Sequence, residues 1–236
     1  MREVAEGVYQ VSVMRGFTNA YIVDNGGLTL VDAGLPGRAR EVLAVVERIG
    51  RRPRDITTIV ITHHHVDHVG ALAAIQKATG AEVVASRGEA EIIRGDAPPP
   101  PLVATSLHWR VMLALSERLV PARATPARVN RIVADGDVIE AAGLRVVATP
   151  GHTMDHVSYV HDRSGTVFVG DAAAMSIRGN LTRPVGDHDE DPVATVASVV
   201  RLAEEDVATA CFGHGGTLRG GARARLGELG DRLTGQ

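Results

Sequence analysis

The sequence predicts an α/β fold in which strands and helices alternate and polar residues collect at the ends of strands. Short apolar segments rich in β-branched residues, typical of strands, alternate with segments of helical periodicity. Several of these strands end at an Asp or a His beside a glycine. The 236 residues are 44% hydrophobic and 22% charged, as in ordinary globular proteins, and we see no linker that requires two domains.

The N-terminal half is predicted to contain five strands and two helices. Asp24-Asn25-Gly26-Gly27 is a tight-turn signal between the second and third strands. Val42, Val45, Val46 and Ile49 share one face of the first helix, and Gly50 is suited to end it. The predicted strands are 8–13, 20–23, 28–31, 56–61 and 82–85, and the predicted helices are 38–49 and about 71–78.

The C-terminal half is predicted to resume the same pattern. Asp191-Pro192 combines a capping residue with a first-turn proline and marks the start of a helix. The predicted strands are 144–148, 157–160, 166–169 and 207–212, and a charged helix covers 222–233. Segments 28–34 and 166–173 are alike, since each is a short apolar strand ending at an Asp, which hints at two similar halves.

An insertion at about 97–128 interrupts the pattern. Four consecutive prolines at 98–101 exclude a helix or a central strand there. Residues 102–120 are compatible with a helix that is apolar on several sides. Two interpretations remain: a core helix, or a helical lid over a pocket, which we favour because specificity loops occupy such interruptions.

The loop after the strand at 56–61 carries four residues that can bind a metal, His63, His65, Asp67 and His68. Alternation along an extended segment directs His63 and His65 the same way, so both can bind one ion. Asp67 and His68 follow on a tightening loop and can bind a second. A purification tag would lie at a terminus and lack Asp, so we predict a metal site.

Four further residues lie just beyond apolar strands, namely Asp32, His152, Asp171 and His214. Adjacent glycines at most of them allow sharp turns and close backbone approach. Together with the histidine loop, they indicate strands that run to a common edge where these side chains converge.

These motifs resemble those of the metallo-β-lactamase fold superfamily. The matches are His63-x-His65-x-Asp67-His68, Thr149-Pro150-Gly151-His152, Gly170-Asp171 and Gly213-His214-Gly215, in the same order along nearly the whole chain. The resemblance implies one domain, 1–236, with an αβ/βα four-layer sandwich of two mixed sheets flanked by helices. It assigns His63, His65 and His152 to a first metal and Asp67, His68 and His214 to a second, with Asp171 bridging. Asp32 would brace the histidine loop.

The implied activity is that of a dinuclear metal-dependent hydrolase. Imidazole and carboxylate ligands suit Zn²⁺, and Fe or Mn equally, whereas thiolate is missing from the set. A hydroxide bridging the ions would attack a carbonyl or phosphoryl centre, with Asp67 as the catalytic residue that orients it. The residual positive charge favours a small, anionic substrate.

Departures from the sequence patterns of the family's branches narrow the range of substrate classes. β-Lactamases of this fold have a signal peptide and Cys or Ser at the position of Asp171, and neither is seen here. Only residues 215–236 follow His214, so the glutathione-binding helical domain of glyoxalase II is expected to be missing. Lactonases of this fold use a tyrosine after the bridging Asp, and no tyrosine follows Asp171. A small ester, thioester or lactone remains.

Two alternatives stay open. One is a mononuclear iron dioxygenase acting on persulfides, a branch that uses the equivalents of His63, His152 and Asp171. The other is a non-catalytic metal-binding scaffold. The roles of His156, which we favour as structural, and of Arg178 and Asn180, which follow Asp171, are also undecided.

Composition and charge limit the classes of partner and the cellular location that we expect. The net charge of −3 gives no indication of a nucleic-acid or membrane surface. The single cysteine, Cys211, precludes an internal disulfide and is expected to be a core residue. With no apolar signal segment at the N-terminus and no run long enough to cross a bilayer, a cytoplasmic protein is expected. A homodimer is left open.

Overall fold

Two mixed β-sheets form the centre of the fold. The structure, a computed structural model, describes residues 1–14, 17–101, 123–176, 178–183 and 189–235. In these residues the first sheet has seven strands arranged in chain order. Their bounds are Arg2–Ala5 (β1), Val8–Val13 (β2), Thr18–Asp24 (β3), Leu28–Val31 (β4), Ile56–Val60 (β5), Glu82–Ala85 (β6) and Arg131–Ile132 (β7).

The second sheet has six strands in the described ranges, in the order β15-β14-β11-β10-β9-β8. Two further strands, β12 and β13, lie between β11 and β14 along the chain and form a separate short antiparallel ribbon. The bounds are Val138–Ile139 (β8), Leu144–Ala148 (β9), Val157–His161 (β10), Thr166–Gly170 (β11), Ala174–Met175 (β12), Leu181–Thr182 (β13), Thr209–Phe212 (β14) and Leu218–Arg219 (β15).

Helices cover the outer face of each sheet. The α-helices that the structure describes are Ala39–Arg48 (α1), Val66–Val69 (α2), Leu72–Thr79 (α3), Arg87–Arg94 (α4), Pro192–Leu202 (α5) and Ala222–Thr234 (α6). The side chain of Asp191 accepts hydrogen bonds from the backbone amides of Val193 and Ala194, so it caps α5 as predicted. None of the described helices is long and apolar enough to cross a membrane.

Three apolar cores fill the spaces between the layers. Val42 and Val46 of α1 pack in a core with Leu30 of β4 and Ile59 of β5. A second core joins the facing sides of the two sheets, and a third joins the second sheet to α5 and α6. The order is therefore helices, sheet, sheet, helices. This confirms the predicted αβ/βα four-layer sandwich with two mixed sheets.

Parallel strand pairs bring the polar strand ends together. Strands β4 and β5 are parallel neighbours, so Asp32 and the histidine loop emerge at the same edge of the first sheet. Strands β11 and β14 are parallel neighbours in the second sheet, so Asp171 and His214 also emerge side by side. The amide of Val157 donates to the carbonyl of Thr62 at 3.1 Å and joins the two sheet edges.

Most predicted elements are present, with ends that shift by one or two residues. The strand β1, the two-residue strands β7, β8, β12, β13 and β15, and the helix α4 were not predicted from the sequence. That helix has only eight residues and contains Gly88, and glycine lowers the intrinsic helix propensity of so short a segment. The predicted lid at 97–128 falls largely on residues 102–122, outside the described residues, so the choice between lid and core helix stays open.

Candidate metal centre

Three histidines form a first cluster at the edge between the sheets. Nε2 of His63 lies 3.1 Å from Nδ1 of His65, and that nitrogen lies 3.0 Å from Nε2 of His152. His63 and His65 come from the loop after β5, and His152 comes from the loop after β9. Three imidazole nitrogens that converge within 4.8 Å of one another have the arrangement needed to hold one ion.

A second cluster lies beside the first. Oδ2 of Asp67 is 3.1 Å from Nε2 of His214 and 3.9 Å from Nε2 of His68. Oδ2 of Asp171 is 3.2 Å from Nε2 of His214 and 3.6 Å from Nε2 of His152. Asp171 therefore contacts a histidine of each cluster. The structure brings together all seven residues that the sequence analysis assigned to the metals.

Asp32 fixes two of these histidines. Its carboxylate accepts hydrogen bonds from the backbone amide and the hydroxyl of Thr62, and Oδ2 lies 2.9 Å from Nδ1 of His68. Because the Thr62 hydroxyl donates to Asp32, it accepts from Nδ1 of His63 at 3.0 Å. This hydrogen-bond pattern implies that His63 and His68 are protonated on Nδ1 and direct the lone pair of Nε2 into the site.

Two other histidines are oriented in the same manner. Nδ1 of His152 lies 3.2 Å from Oδ1 of Asp189, whose other oxygen accepts from Arg183 at 2.9 Å. Nδ1 of His214 lies 2.7 Å from the carbonyl oxygen of Phe17. With each Nδ1–H donated outward, Nε2 of both residues keeps its lone pair for a ligand in the site.

His156 is placed as a structural residue rather than as a ligand. Its Nε2 accepts a hydrogen bond from the backbone amide of Asp171 at 3.1 Å. Its Nδ1 lies 2.8 Å from Oγ1 of Thr149. Both ring nitrogens are therefore occupied by protein partners, and burial lowers the pKa of this imidazole to about 3.

His63 and His65 of the first cluster and His68 and His214 of the second have opposite pKa shifts. Burial, followed by the neighbouring imidazoles, holds the pKa of His63 and His65 well below the usual value, so both are neutral at pH 7. For His68, burial opposes the charge, but Asp171, Asp32 and Asp67 outweigh it and raise the pKa to about 9. Burial is likewise outweighed at His214, where Asp171 and Asp67 raise the pKa. The second cluster therefore attracts positive charge, and a bound cation would displace the protons that the Nε2 atoms of His68 and His214 otherwise hold.

Glycine at position 213 allows the second cluster to close. A Cβ atom there would lie 2.0 Å from Oδ1 of Asp171 and 2.5 Å from Cε1 of His68. Asn19 holds the same loop, because its side-chain amide donates to the carbonyls of Phe212 and Gly215 at 3.1 and 2.9 Å. The loop carrying His214 is therefore held by the hydrogen bonds of Asn19. The absence of a side chain at Gly213 lets this loop approach Asp171 and His68 closely.

The donor set fits divalent metal ions. Nε2 of His68 and Oδ1 of Asp171 are buried polar atoms that have no hydrogen-bond partner among the described residues. Such atoms are costly to bury unless a ligand satisfies them. Five imidazoles and two carboxylates at one place, without a thiolate, match the preference of Zn²⁺, Fe or Mn.

Other candidate residues are placed as follows. His64 points away from both clusters, and its Nδ1 lies 2.6 Å from Oε2 of the buried Glu89. Cys211 is fully buried, and burial raises the pKa of its thiol, so it is a core residue as predicted. Arg178 and Asn180 are exposed, and a role in substrate contact stays a prediction.

Asp189 and Phe17, which contact two of the ligands, and the buried Glu89 were not predicted from the sequence. Asp189 and the carbonyl of Phe17 have no local signal, because they act on histidines far away in sequence. Glu89 does have one, since Ser86-x-x-Glu89 is the pattern of a helix-capping box and marks the start of α4.

Comparison with known proteins agrees with this geometry. Residues 13–214 match the family model described as the metallo-beta-lactamase superfamily. A metallo-beta-lactamase family protein from Thermus thermophilus has a similar structure, with a TM-score of 0.68 and 25% sequence identity, over 98% of this chain and 80% of that one.

Two relatives match by sequence. A hydroxyacylglutathione hydrolase of Rhodopseudomonas palustris is 33% identical over 150 residues, which are 63% of this chain and 44% of that protein. The uncharacterised protein YobT of Bacillus subtilis is 29% identical over 165 residues, 69% of this chain and 64% of that one. The match therefore spans less than half the length of the hydroxyacylglutathione hydrolase.

Proposed function

The chain belongs to the metallo-beta-lactamase superfamily, and we propose that it is a dinuclear metal-dependent hydrolase of small esters, thioesters or lactones. One observation carries the proposal. Two separate groups, His63 with His65 and His152, and Asp67 with His68 and His214, each place three ligand atoms within 4.8 Å of one another.

Seven side chains would hold the two ions. His63, His65 and His152 would bind the first ion, Asp67, His68 and His214 the second, and Asp171 would lie between them. We propose zinc as the native metal, because the set consists of imidazole and carboxylate donors. Two such ions lower the pKa of a bound water and polarise a carbonyl oxygen, which is the chemistry that hydrolysis of an acyl bond requires.

Asp67 is the residue that we propose orients the attacking water. Its side chain is 20% exposed, whereas that of Asp171 is 5% exposed. Its Oδ2 already contacts Nε2 of His214 at 3.1 Å, so the carboxylate is held at the opening of the site. An ionised carboxylate there can accept a hydrogen bond from water and set the direction of attack.

The ionisation of Asp67 is favoured by its surroundings. Burial opposes the charge, but the imidazoles of His68 and His214 outweigh it and hold the pKa of Asp67 well below its usual value. The carboxylate therefore stays an acceptor across the neutral range and does not compete with the water as a proton donor.

The relatives support the acyl-bond class without fixing the substrate. One of them is named a hydroxyacylglutathione hydrolase, and this chain matches 44% of its length. We therefore propose the reaction class and leave the acyl and leaving groups to experiment. Two divalent ions that meet only two carboxylates leave net positive charge, which favours an anionic substrate.

Zinc content and hydrolysis measured on the same preparation test the proposal. The metal-free chain is loaded with zinc, the bound zinc is counted, and esters, thioesters and lactones are assayed. We expect two zinc ions per chain and hydrolysis of at least one class. Asp67→Asn should lower kcat by about 10²-fold or more, as loss of a positioned acid–base group does, while Asp206→Asn, at a fully exposed site, should match the wild type.

Three other results would contradict the proposal, and two of them would favour a named alternative. At most one tightly bound ion and no hydrolysis across the three classes would overturn the dinuclear hydrolase. Iron in the purified protein together with oxygen consumption on glutathione persulfide would support the dioxygenase instead. Two bound zinc ions with tight binding of an intact ligand and no turnover would support a scaffold.

A further inference from the structure

Glu89 is a buried carboxylate outside both metal clusters, and both of its oxygens have partners. It lies on α4 and is 1% exposed. Oε2 lies 2.6 Å from Nδ1 of His64, and Oε1 accepts a hydrogen bond from the hydroxyl of Thr153. His64 and Thr153 are also buried, at 7% and 1% exposure. This is a closed polar network inside the protein.

The network connects the two loops that provide the three-histidine cluster. His64 lies between His63 and His65, and Thr153 directly follows His152. Glu89 therefore holds one residue from each loop through a single carboxylate. The His65 and His152 nitrogens that must stay close are themselves 3.0 Å apart.

The direction of His64 explains how this contact acts on the ligands. In an extended segment, alternate side chains point to opposite sides. His63 and His65 point into the site, and His64 points away from it, toward Glu89. Fixing the middle side chain on the far side prevents the segment from rolling about its axis, and so fixes the direction of both ligands.

The start of α4 is also attached to the second loop. The hydroxyl of Ser86 donates to the carbonyl of Asp155 at 2.6 Å. A Cβ atom at Gly88 would lie 2.3 Å from Oδ2 of Asp155, so the loop packs directly against the backbone of the helix. Helix α4 and its first residues thus contact both Thr153 and Asp155, two residues further along the same loop.

The side chains of Ser86 and Glu89 do not serve the helix itself. In a capping box they would bond to each other's backbone amides. Here Ser86 makes no side-chain cap, and its hydroxyl and the Glu89 carboxylate are both directed to the loops around the metal centre. The side chains of Ser86 and Glu89, which would stabilise the helix terminus in a capping box, therefore bond to the loops of the metal centre instead.

A buried polar network is weak evidence for stability alone. Removing polar and ionisable groups from water costs free energy that their pairing only partly returns, and apolar replacements of buried ion pairs are often neutral or stabilising. A role in holding a geometry accounts for a buried carboxylate that joins two ligand loops.

We propose that Glu89 is a positioning residue for the first metal cluster, which holds the loops of His63, His65 and His152 in register through His64 and Thr153. The inference rests on the proposed function, because it assumes that this cluster binds metal. Substitution of residues that orient metal ligands typically lowers metal affinity by about 10–100-fold.

The test measures metal affinity and ligand geometry besides activity. Zinc affinities of the full chain are determined by chelator competition, and the visible spectrum of the cobalt-loaded chain reports the ligand geometry. We expect Glu89→Gln to weaken one of two zinc-binding steps by about 10–100-fold and to change the cobalt spectrum. Glu91→Gln is the matched control, since Glu91 is exposed on the same helix.

Thr153 provides a second pair of variants in case Glu89→Gln fails to fold. Thr153→Val removes the hydroxyl with little change of shape and should weaken the same binding step. Thr153→Ser keeps the hydroxyl and should restore wild-type affinity and spectrum. A role confined to stability would instead lower the melting temperature of Thr153→Val without moving either metal readout.

The outcomes separate this inference from the proposed function. Wild-type zinc affinity and cobalt spectra in Glu89→Gln or Thr153→Val would overturn the positioning role and leave the hydrolase proposal intact. A wild-type chain that binds two zinc ions but hydrolyses nothing would overturn the hydrolase proposal, while the affinities still decide the role of Glu89. A chain that binds no zinc would overturn both.

Discussion

Nδ1 of His68 lies 2.9 Å from Oδ2 of Asp32, and the backbone of Asp32 is in the left-handed region with φ of 59°. Few residues other than glycine adopt this conformation, and Asp and Asn are the ones that tolerate it best. The strand β4 therefore ends in a turn that directs a carboxylate back at the histidine loop. Orientation of His68 depends on that turn.

Asp32→Asn should weaken zinc binding at the second cluster by about 10–100-fold. Asn keeps the backbone conformation but offers an amide that cannot accept from Nδ1 of His68 and from Thr62 together. His68 would then lose the partner that keeps Nε2 free for the ion. Chelator competition with zinc measures the change.

Asp32→Ala is the companion variant. Alanine removes both acceptor oxygens and is strained in the left-handed region, so the metal-free protein should unfold at a lower temperature than Asp32→Asn. Equal zinc affinity in wild type and Asp32→Asn would show that the His68–Asp32 contact does not orient the ligand.

Gly213→Ala should abolish binding of one zinc ion. The added methyl would meet Oδ1 of Asp171 at 2.0 Å and Cε1 of His68 at 2.5 Å, so both side chains would have to move. The zinc content of the purified, zinc-saturated protein measures the loss. Gly216→Ala is the control, since its nearest contact would be Cγ of Met175 at 3.6 Å. Two zinc ions in Gly213→Ala would contradict the described geometry.

His156→Gln should keep both zinc ions. Glutamine retains a side-chain acceptor for the backbone amide of Asp171, which is the role that the structure gives to Nε2 of His156. His156→Leu leaves that buried amide unpaired, which should lower the free energy of unfolding by about 1–3 kcal/mol. Denaturant unfolding and zinc content distinguish the two variants. Loss of one zinc ion from a stable His156→Gln protein would identify His156 as a ligand instead.

His161 should make the stability of the protein depend on pH. It is buried in β10, with Nδ1 2.7 Å from Oγ of Ser164, and burial, followed by the charge of Arg163, lowers the pKa of its imidazole. The unfolded chain, with a pKa of about 6.5, therefore binds a proton more readily than the folded chain. Stability is then lost as the pH falls below about 6.5 toward the lower folded pKa.

His161→Gln should reduce this loss. One titrating group contributes at most about 1.4 kcal/mol per pH unit, so the difference between variant and wild type should approach but not exceed that slope. Denaturant unfolding of both metal-free proteins between about pH 7.5 and about pH 5 measures it, and the difference removes the contribution of the other histidines. Parallel curves for the two proteins would contradict the depressed pKa.

The placement of the ligands could be predicted because it follows from local rules. His63 and His65 share a direction because an extended chain alternates. Asp171 and His214 were each predicted at a strand end by the same local reasoning, but they lie side by side because β11 and β14 are parallel neighbours, a pairing that only the tertiary structure decides. Helix α4 has contacts that local rules do not predict. Ser86-x-x-Glu89 marks its start, yet the same two side chains bond to Asp155, His64 and Thr153, which no local pattern indicates.

The sequence by itself determined which donor atoms this protein has and at which strand ends they lie, because residue type and strand periodicity are properties of short segments. Only the tertiary structure decided how those atoms are aimed. The Nδ1 partners of His152 and His214 are Asp189 and the carbonyl of Phe17, which lie 37 and 197 residues away along the chain. Such hydrogen bonds exist only where packing of the layers brings distant loops within about 3 Å.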